Sequence, residues 1–241
     1  MKRFLALLLA SLMALGGAAC AAAGDMLLGR DENGSIDYFR YVFSDGDMLY
    51  LVGYSWLHTY RVGDEDLRQY QYAPVEDAGQ QGMHIQTLPF MSGGDLYAIQ
   101  LFSKYDEHSE FIRAALVSLT LGEDDTAVVE ERMELDWEDM VEYYDQNSYA
   151  NAPEAMLAVG GRLLMRVYDG QGDYVLKIMD VDTGRIESLD DLSGVVSIVP
   201  YRDGAALLQQ FNYEQTGVVR FFEFDPADES TRLLGEFEAE N

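Results

Sequence analysis

One phrase recurs four times along this chain, and it restricts the fold more than any other feature. An apolar stretch, a glycine-containing turn and a second apolar stretch fill residues 41–52, 88–99, 156–167 and 198–209. Each copy reads as a β-hairpin. Asp45-Gly46, Gly93-Gly94, Gly160-Gly161 and Asp203-Gly204 are dipeptides that accept the positive φ a tight turn between twisted strands demands.

A strand of alternating character follows each hairpin, and another lies beyond a second polar turn. Ala115, Val117, Leu119 and Leu121 form one apolar face, while Ser118 and Thr120 fall on the other. The clearest second turn runs from Val181 to Arg185, with counterparts at residues 62–66, 121–125 and 224–228. This makes four strands per unit. The turn glycines Gly46, Gly94, Gly161 and Gly204 stand 48, 67 and 43 residues apart. Four-stranded units repeating every 40–50 residues or so are the mark of a β-propeller. The long middle interval holds an acidic, aromatic insertion that interrupts the repeat at about residues 136–151.

The sequence therefore predicts an all-β, propeller-like array of four four-stranded antiparallel blades, at about residues 35–75, 82–135, 152–192 and 195–239. Four blades are fewer than most propellers use. The array is then a fragment, a small closed ring, or an arc that pairs with a second copy, because an open arc leaves apolar faces on its first and last blades.

The hairpins typified by residues 45–51 and the turn at residues 180–185 resemble blades of bacterial extracytoplasmic β-propellers, including those that precede the solute-binding domain in some lipoproteins of ABC importers. The resemblance extends from Ser35 to Glu238 and rests on degenerate motifs. It implies an architecture rather than an activity, and no solute-binding domain follows in this sequence.

The amino terminus supplies an address. Lys2 and Arg3 precede an apolar run from Phe4 to Leu15 and a small-residue stretch from Gly16 to Ala23, the layout of a secretory signal peptide over residues 1–23. The run is too short for a permanent transmembrane helix, which needs roughly 20 residues. Cys20 is the chain's single cysteine, and it follows Ala18 and Ala19 as in the lipobox of bacterial lipoproteins. Gly17 occupies the place where that pattern has an aliphatic residue. Lipidation at Cys20 and ordinary cleavage near residues 21–23 are the two alternatives, placing the protein on the outer face of the cytoplasmic membrane or free outside it.

Charge excludes some partners. The chain carries 16 basic and 43 acidic residues, a formal net charge of −27. A field of that sign repels nucleic acid and anionic lipid, so membrane contact is expected only through a lipid anchor. It also keeps an exported protein soluble.

No catalytic motif stands out. His58, His84 and His108 are scattered and lack metal-ligand spacing, and Ser55 lacks the second glycine of a nucleophile elbow. The acidic turns at residues 169–173 and 180–182 lack the ligand count of a calcium loop. No metal and no cofactor is expected. The inserted segment is the candidate ligand-binding site, because Trp137, Tyr143, Tyr144 and Tyr149 beside Glu138, Asp139 and Glu142 suit sugar rings or cations. Three functional readings follow: a non-catalytic envelope scaffold recruiting a protein or glycan, a propeller-based hydrolase or lyase of extracellular polysaccharide, and an accessory part of an ABC-type uptake system.

Overall fold

In a computed structural model, residues 41–53, 56–63, 67–73, 83–105, 109–136, 138–140, 152–169, 173–189, 192, 194–212 and 217–238 are described. Their strands fall into four units of four. Blade one holds β1 (Tyr41–Asp45), β2 (Met48–Val52), β3 (Trp56–Arg61) and β4 (Arg68–Tyr72). Blade two holds β5 (Met83–Ser92), β6 (Asp95–Tyr105), β7 (Ser109–Leu121) and β8 (Thr126–Leu135). Blade three holds β9 (Ala155–Val159), β10 (Arg162–Tyr168), β11 (Tyr174–Asp180) and β12 (Ile186–Ser188). Blade four holds β13 (Val195–Pro200), β14 (Ala206–Asn212), β15 (Val218–Asp225) and β16 (Ser230–Glu238).

Every blade is an antiparallel meander, and its turns explain its register. Ser92 opposes Asp95, and Val159 opposes Arg162, so Gly93-Gly94 and Gly160-Gly161 are two-residue hairpin loops with positive φ throughout. A side chain at those positions would force the left-handed conformation on an L-residue, which glycine adopts without penalty. The fourth hairpin departs from the predicted tight turn. Pro200 opposes Ala206, and a short 3-10 turn at Arg202–Gly204 fills the wider loop between them. The Tyr201 amide still donates to the Ala205 carbonyl at 2.9 Å, so the ladder runs one residue beyond Pro200 before the 3-10 turn closes the loop.

The blades stack because their strands are apolar on both faces. In β6, Leu96, Ala98 and Phe102 point toward blade one, while Ile99 and Leu101 point toward blade three. In β10, Leu163 and Met165 pack against blade two, and Leu164 packs against blade four. The pleat alternates side chains across the sheet, so a continuous apolar run buries one set of residues in each neighbouring interface. Three interblade cores result. Val52, Leu57 and Tyr70 meet Ala115, Val117 and Leu119; Leu88, Phe90 and Leu116 meet Met156, Leu163 and Met179; Leu176 and Ile178 meet Ala206, Leu208 and Phe224. The first strands of successive blades, β1, β5, β9 and β13, lie next to one another in order, as the inner strands of a propeller do.

Blades one and two depart from simple stacking. Their outer strands pair in parallel, Gln71 with Thr126 and Tyr72 with Ala127, which merges the two blades into one eight-stranded sheet of order β1-β2-β3-β4-β8-β7-β6-β5. The Arg68 guanidinium donates to Asp125 Oδ1 at 2.9 Å and to the Glu123 carbonyl at 3.3 Å. At the inner margin the Tyr41 hydroxyl donates to the Pro89 carbonyl at 2.8 Å. The sheet thus nearly closes on itself around the first core, and two outer edges that would otherwise expose unpaired backbone satisfy each other.

Replacing Leu101, fully buried between blades two and three, with Ala should lower unfolding free energy by about 2–5 kcal/mol in urea titrations. Val199→Ala on the outer face of blade four should cost no more than about 0.5 kcal/mol. Equal costs at the two positions would show that the blades do not stack in this order.

Candidate functional site

The residues singled out from sequence, Cys20, Trp137, Tyr143, Tyr144 and Tyr149, lie outside the described residues, as do Ser55 and His108. What is described is the footing on which the insertion stands. Met140 is fully buried in the core between blades two and three, beside Leu135 and Ala152. Lys177, 4% exposed on β11, donates from Nζ to the Asp139 carbonyl at 2.7 Å, and Asp136 Oδ1 accepts from the Glu138 amide. The insertion therefore leaves β8 anchored across the interface, with a buried ammonium ending on a backbone acceptor. Its Met140 plug was not legible from sequence, where the segment reads as polar and aromatic.

The acidic turns prove to be built from their own carboxylates. Asp169 Oδ1 accepts from the Asp173 amide at 2.9 Å, and Asp173 Oδ1 accepts from the Tyr174 amide at 2.8 Å. Asp180 Oδ1 accepts from the amides of Asp182 and Thr183 and from the Thr183 hydroxyl, all at 2.8–3.0 Å. Short acidic side chains here take the place of backbone acceptors in tight turns. Among the described residues no group of three His, Cys, Asp or Glu side chains is placed to hold a metal ion. His58 is buried in blade one and His84 lies on β5 of blade two.

Two surface features stand out instead. The first is a cleft of about 340 Å³ where the outer half of blade three meets the β15–β16 turn of blade four, lined by Arg162, Ile178, Asp180, Thr183, Arg185, Glu187 and Glu229. Arg162, just after the Gly160-Gly161 turn, pairs with Asp180 and reaches Glu229 at 3.0 Å across the blade boundary. Arg185 pairs with Glu187 on the other wall. Burial raises the Asp180 carboxyl, but the Thr183 hydrogen bonds, the Arg162 charge and the Asp182 amide outweigh it and hold the group below its usual 3.8. The polar turn at residues 181–185 is legible in the sequence, but the approach of Glu229 is not, because it depends on blade packing.

The second is the outer face of blade four. The alternation that buries Leu208, Phe222 and Phe224 against blade three turns Val199, Leu207, Phe221 and Phe237 the other way. Val199 is 40% and Phe237 60% exposed, and the Phe237 ring packs edge-on against Phe221 at 5.8 Å. At one end of this face Glu223 binds both Arg202 and Arg232. Together these form an apolar patch with a charged end.

No protein-family model and no curated protein sequence matches the chain. Among solved structures, it is similar to the extracellular domain of a provisionally named one-component system of B. thetaiotaomicron, with 11% identity, 85% of this chain and 31% of that chain covered, and a TM-score of 0.36. It is also similar to provisionally named 6-phosphogluconolactonases of Bacteroides fragilis (8% identity, 83% and 70% covered, TM-score 0.35) and Bacteroides uniformis (11% identity, 83% and 71% covered, TM-score 0.35). The chain spans under a third of the first of these.

The depressed Asp180 carboxyl gives a pH-dependent test. Its pKa is lower in the fold than in the unfolded chain, so its contribution is complete above the unfolded value and is lost as pH falls through the folded value. Asp180→Asn should cost up to about 1 kcal/mol at pH 6, and the gap to wild type should close in melts at progressively lower pH. A gap that is constant across acid pH would mean the carboxylate charge contributes nothing.

Proposed function

We propose that this protein is an exported, non-catalytic β-propeller-like module of the bacterial cell envelope, which works as a docking scaffold through the outer face of blade four. The observation that carries this reading is the exposure of Val199 and Phe237 on a face whose counterparts in blades one to three meet the next blade in a core. Exposed apolar patches rimmed by polar groups mark interaction surfaces. The signal-like stretch at residues 1–23 supports export, and Cys20 supplies the lipid attachment point in the anchored form.

The occupant of that face is a second copy of the chain. The face continues the series of interblade cores, and it is self-complementary: Phe221 and Phe237 supply apolar area, while Arg202, Glu223 and Arg232 supply both signs of charge. Isologous pairing about a two-fold axis needs only this one surface. A net charge of −27 on each copy opposes association, so screening by salt should strengthen the dimer. The aromatic residues Trp137, Tyr143, Tyr144 and Tyr149 of the insertion, with their acidic neighbours, suit a glycan or a cation as the further ligand.

Light scattering of the mature chain, residues 24–241, should show a dimer that grows with salt and concentration. Phe237→Asp should yield a monomer with little change in Tm, because the residue lies on the surface. A wild-type chain that stays monomeric at every salt concentration would overturn the proposed pairing.

A further inference from the structure

We infer that the cleft between blades three and four binds a small α-amino-acid zwitterion with a cationic side chain. The cleft is formed within one chain and does not require blade four to pair with a second copy. At about 340 Å³ the cleft lies at the lower end of the range for small-molecule sites, roughly 300–1,000 Å³.

Its walls are held at a set distance. Arg162 spans the boundary to Glu229, and the blade-three turn abuts the blade-four turn so closely that a side-chain carbon at Gly160 would sit 2.7 Å from Pro226 Cγ. The Val181 amide also donates to the Gly161 carbonyl at 3.0 Å, joining the two turns of blade three. A pocket already in shape loses little ordering free energy on binding.

The lining then selects the ligand. On the floor, Arg162 and Asp180 are engaged with each other, and Asp180 Oδ1 is further occupied by Asp182 and Thr183. On one wall Arg185 and Glu187 present a guanidinium and a carboxylate side by side, and Arg185 is 76% exposed. An α-amino acid carries the opposite arrangement, a carboxylate beside an ammonium. Its head group can lie along that pair, carboxylate to Arg185 and ammonium to Glu187, forming charge-assisted hydrogen bonds. Glu229, which engages Arg162 through Oε1, adds a further carboxylate to the lining for an incoming cation.

Three carboxylates against two guanidinium groups leave the lining one charge negative, inside a protein of net charge −27. A cationic side chain is favoured over an anionic one on both counts. A bare metal ion fits poorly, because Asp180, Glu187 and Glu229 are not grouped closely enough to ligate one.

The test is calorimetric titration of the purified mature chain with L-lysine, glycine, L-glutamate, glucose and putrescine. L-Lysine should bind, with glycine weaker and glutamate weakest. Arg185→Gln, at an exposed position, and Glu187→Gln, at a half-buried one, should each weaken lysine binding at least about tenfold while leaving Tm nearly unchanged. Glu229→Gln should weaken lysine but leave glycine unaffected. Absence of lysine binding, equal binding of lysine and glutamate, binding of glucose or putrescine alone, or lysine binding indifferent to Arg185→Gln would each overturn the inference. Because the dimer is read by light scattering and this site by heat, either can fail alone.

Discussion

Two-sided burial of the middle strands is the constraint on which the rest of this structure depends. A strand such as β6 or β10 sends alternate apolar side chains into two different cores, so no blade can satisfy both faces alone. Stacking is forced, and each added blade buries one face of its predecessor while presenting a new one. Leu163 and Leu164, adjacent in sequence and both fully buried, belong to different interfaces for this reason. The same logic leaves the outer face of blade four, the last in the series, with Val199 and Phe237 exposed.

The stack manages its edges in a second way. Where blades one and two meet, the outer strands β4 and β8 pair with each other and remove two free edges at once. Blade three ends on β12, a strand of only three residues, which offers little template for unwanted pairing. Blade four ends on β16, which is longer and carries Arg232, Glu236 and Glu238 beside exposed Leu233 and Leu234. Short length and charge are both familiar protections against edge-to-edge association.

Much of this architecture could be read along the chain, for physical reasons that differ by element. Gly93-Gly94 and Gly160-Gly161 were legible because a two-residue hairpin loop imposes a conformation that few other dipeptides accept. Asp203-Gly204 looks the same and is not, because it lies inside the 3-10 turn at Arg202–Gly204 that fills a wider loop rather than forming a two-residue hairpin. The all-β, four-blade class followed from period-two patterning, which is a local property. The β4–β8 junction did not, since it depends on how far two blades splay, a property of packed cores. The mixed-charge cleft was hidden similarly: Arg162 and Glu229 are 67 positions apart, and only the packing of blade four brings them to 3.0 Å. The charge of −27 gave no hint, because a net charge does not tell which carboxylates pack together.

The central claim is that blade four meets its own kind. The mature chain without Cys20 is free of cysteine, so single cysteines placed at exposed Val199 or exposed Val42 report contacts between copies directly. Under mild oxidation, chains carrying Val199→Cys should cross-link to one another, and chains carrying Val42→Cys should stay single. Cross-linking only in mixtures of the two variants would show head-to-tail joining of blade four to blade one, and no cross-linking of Val199→Cys would show that the face is not a self-association surface.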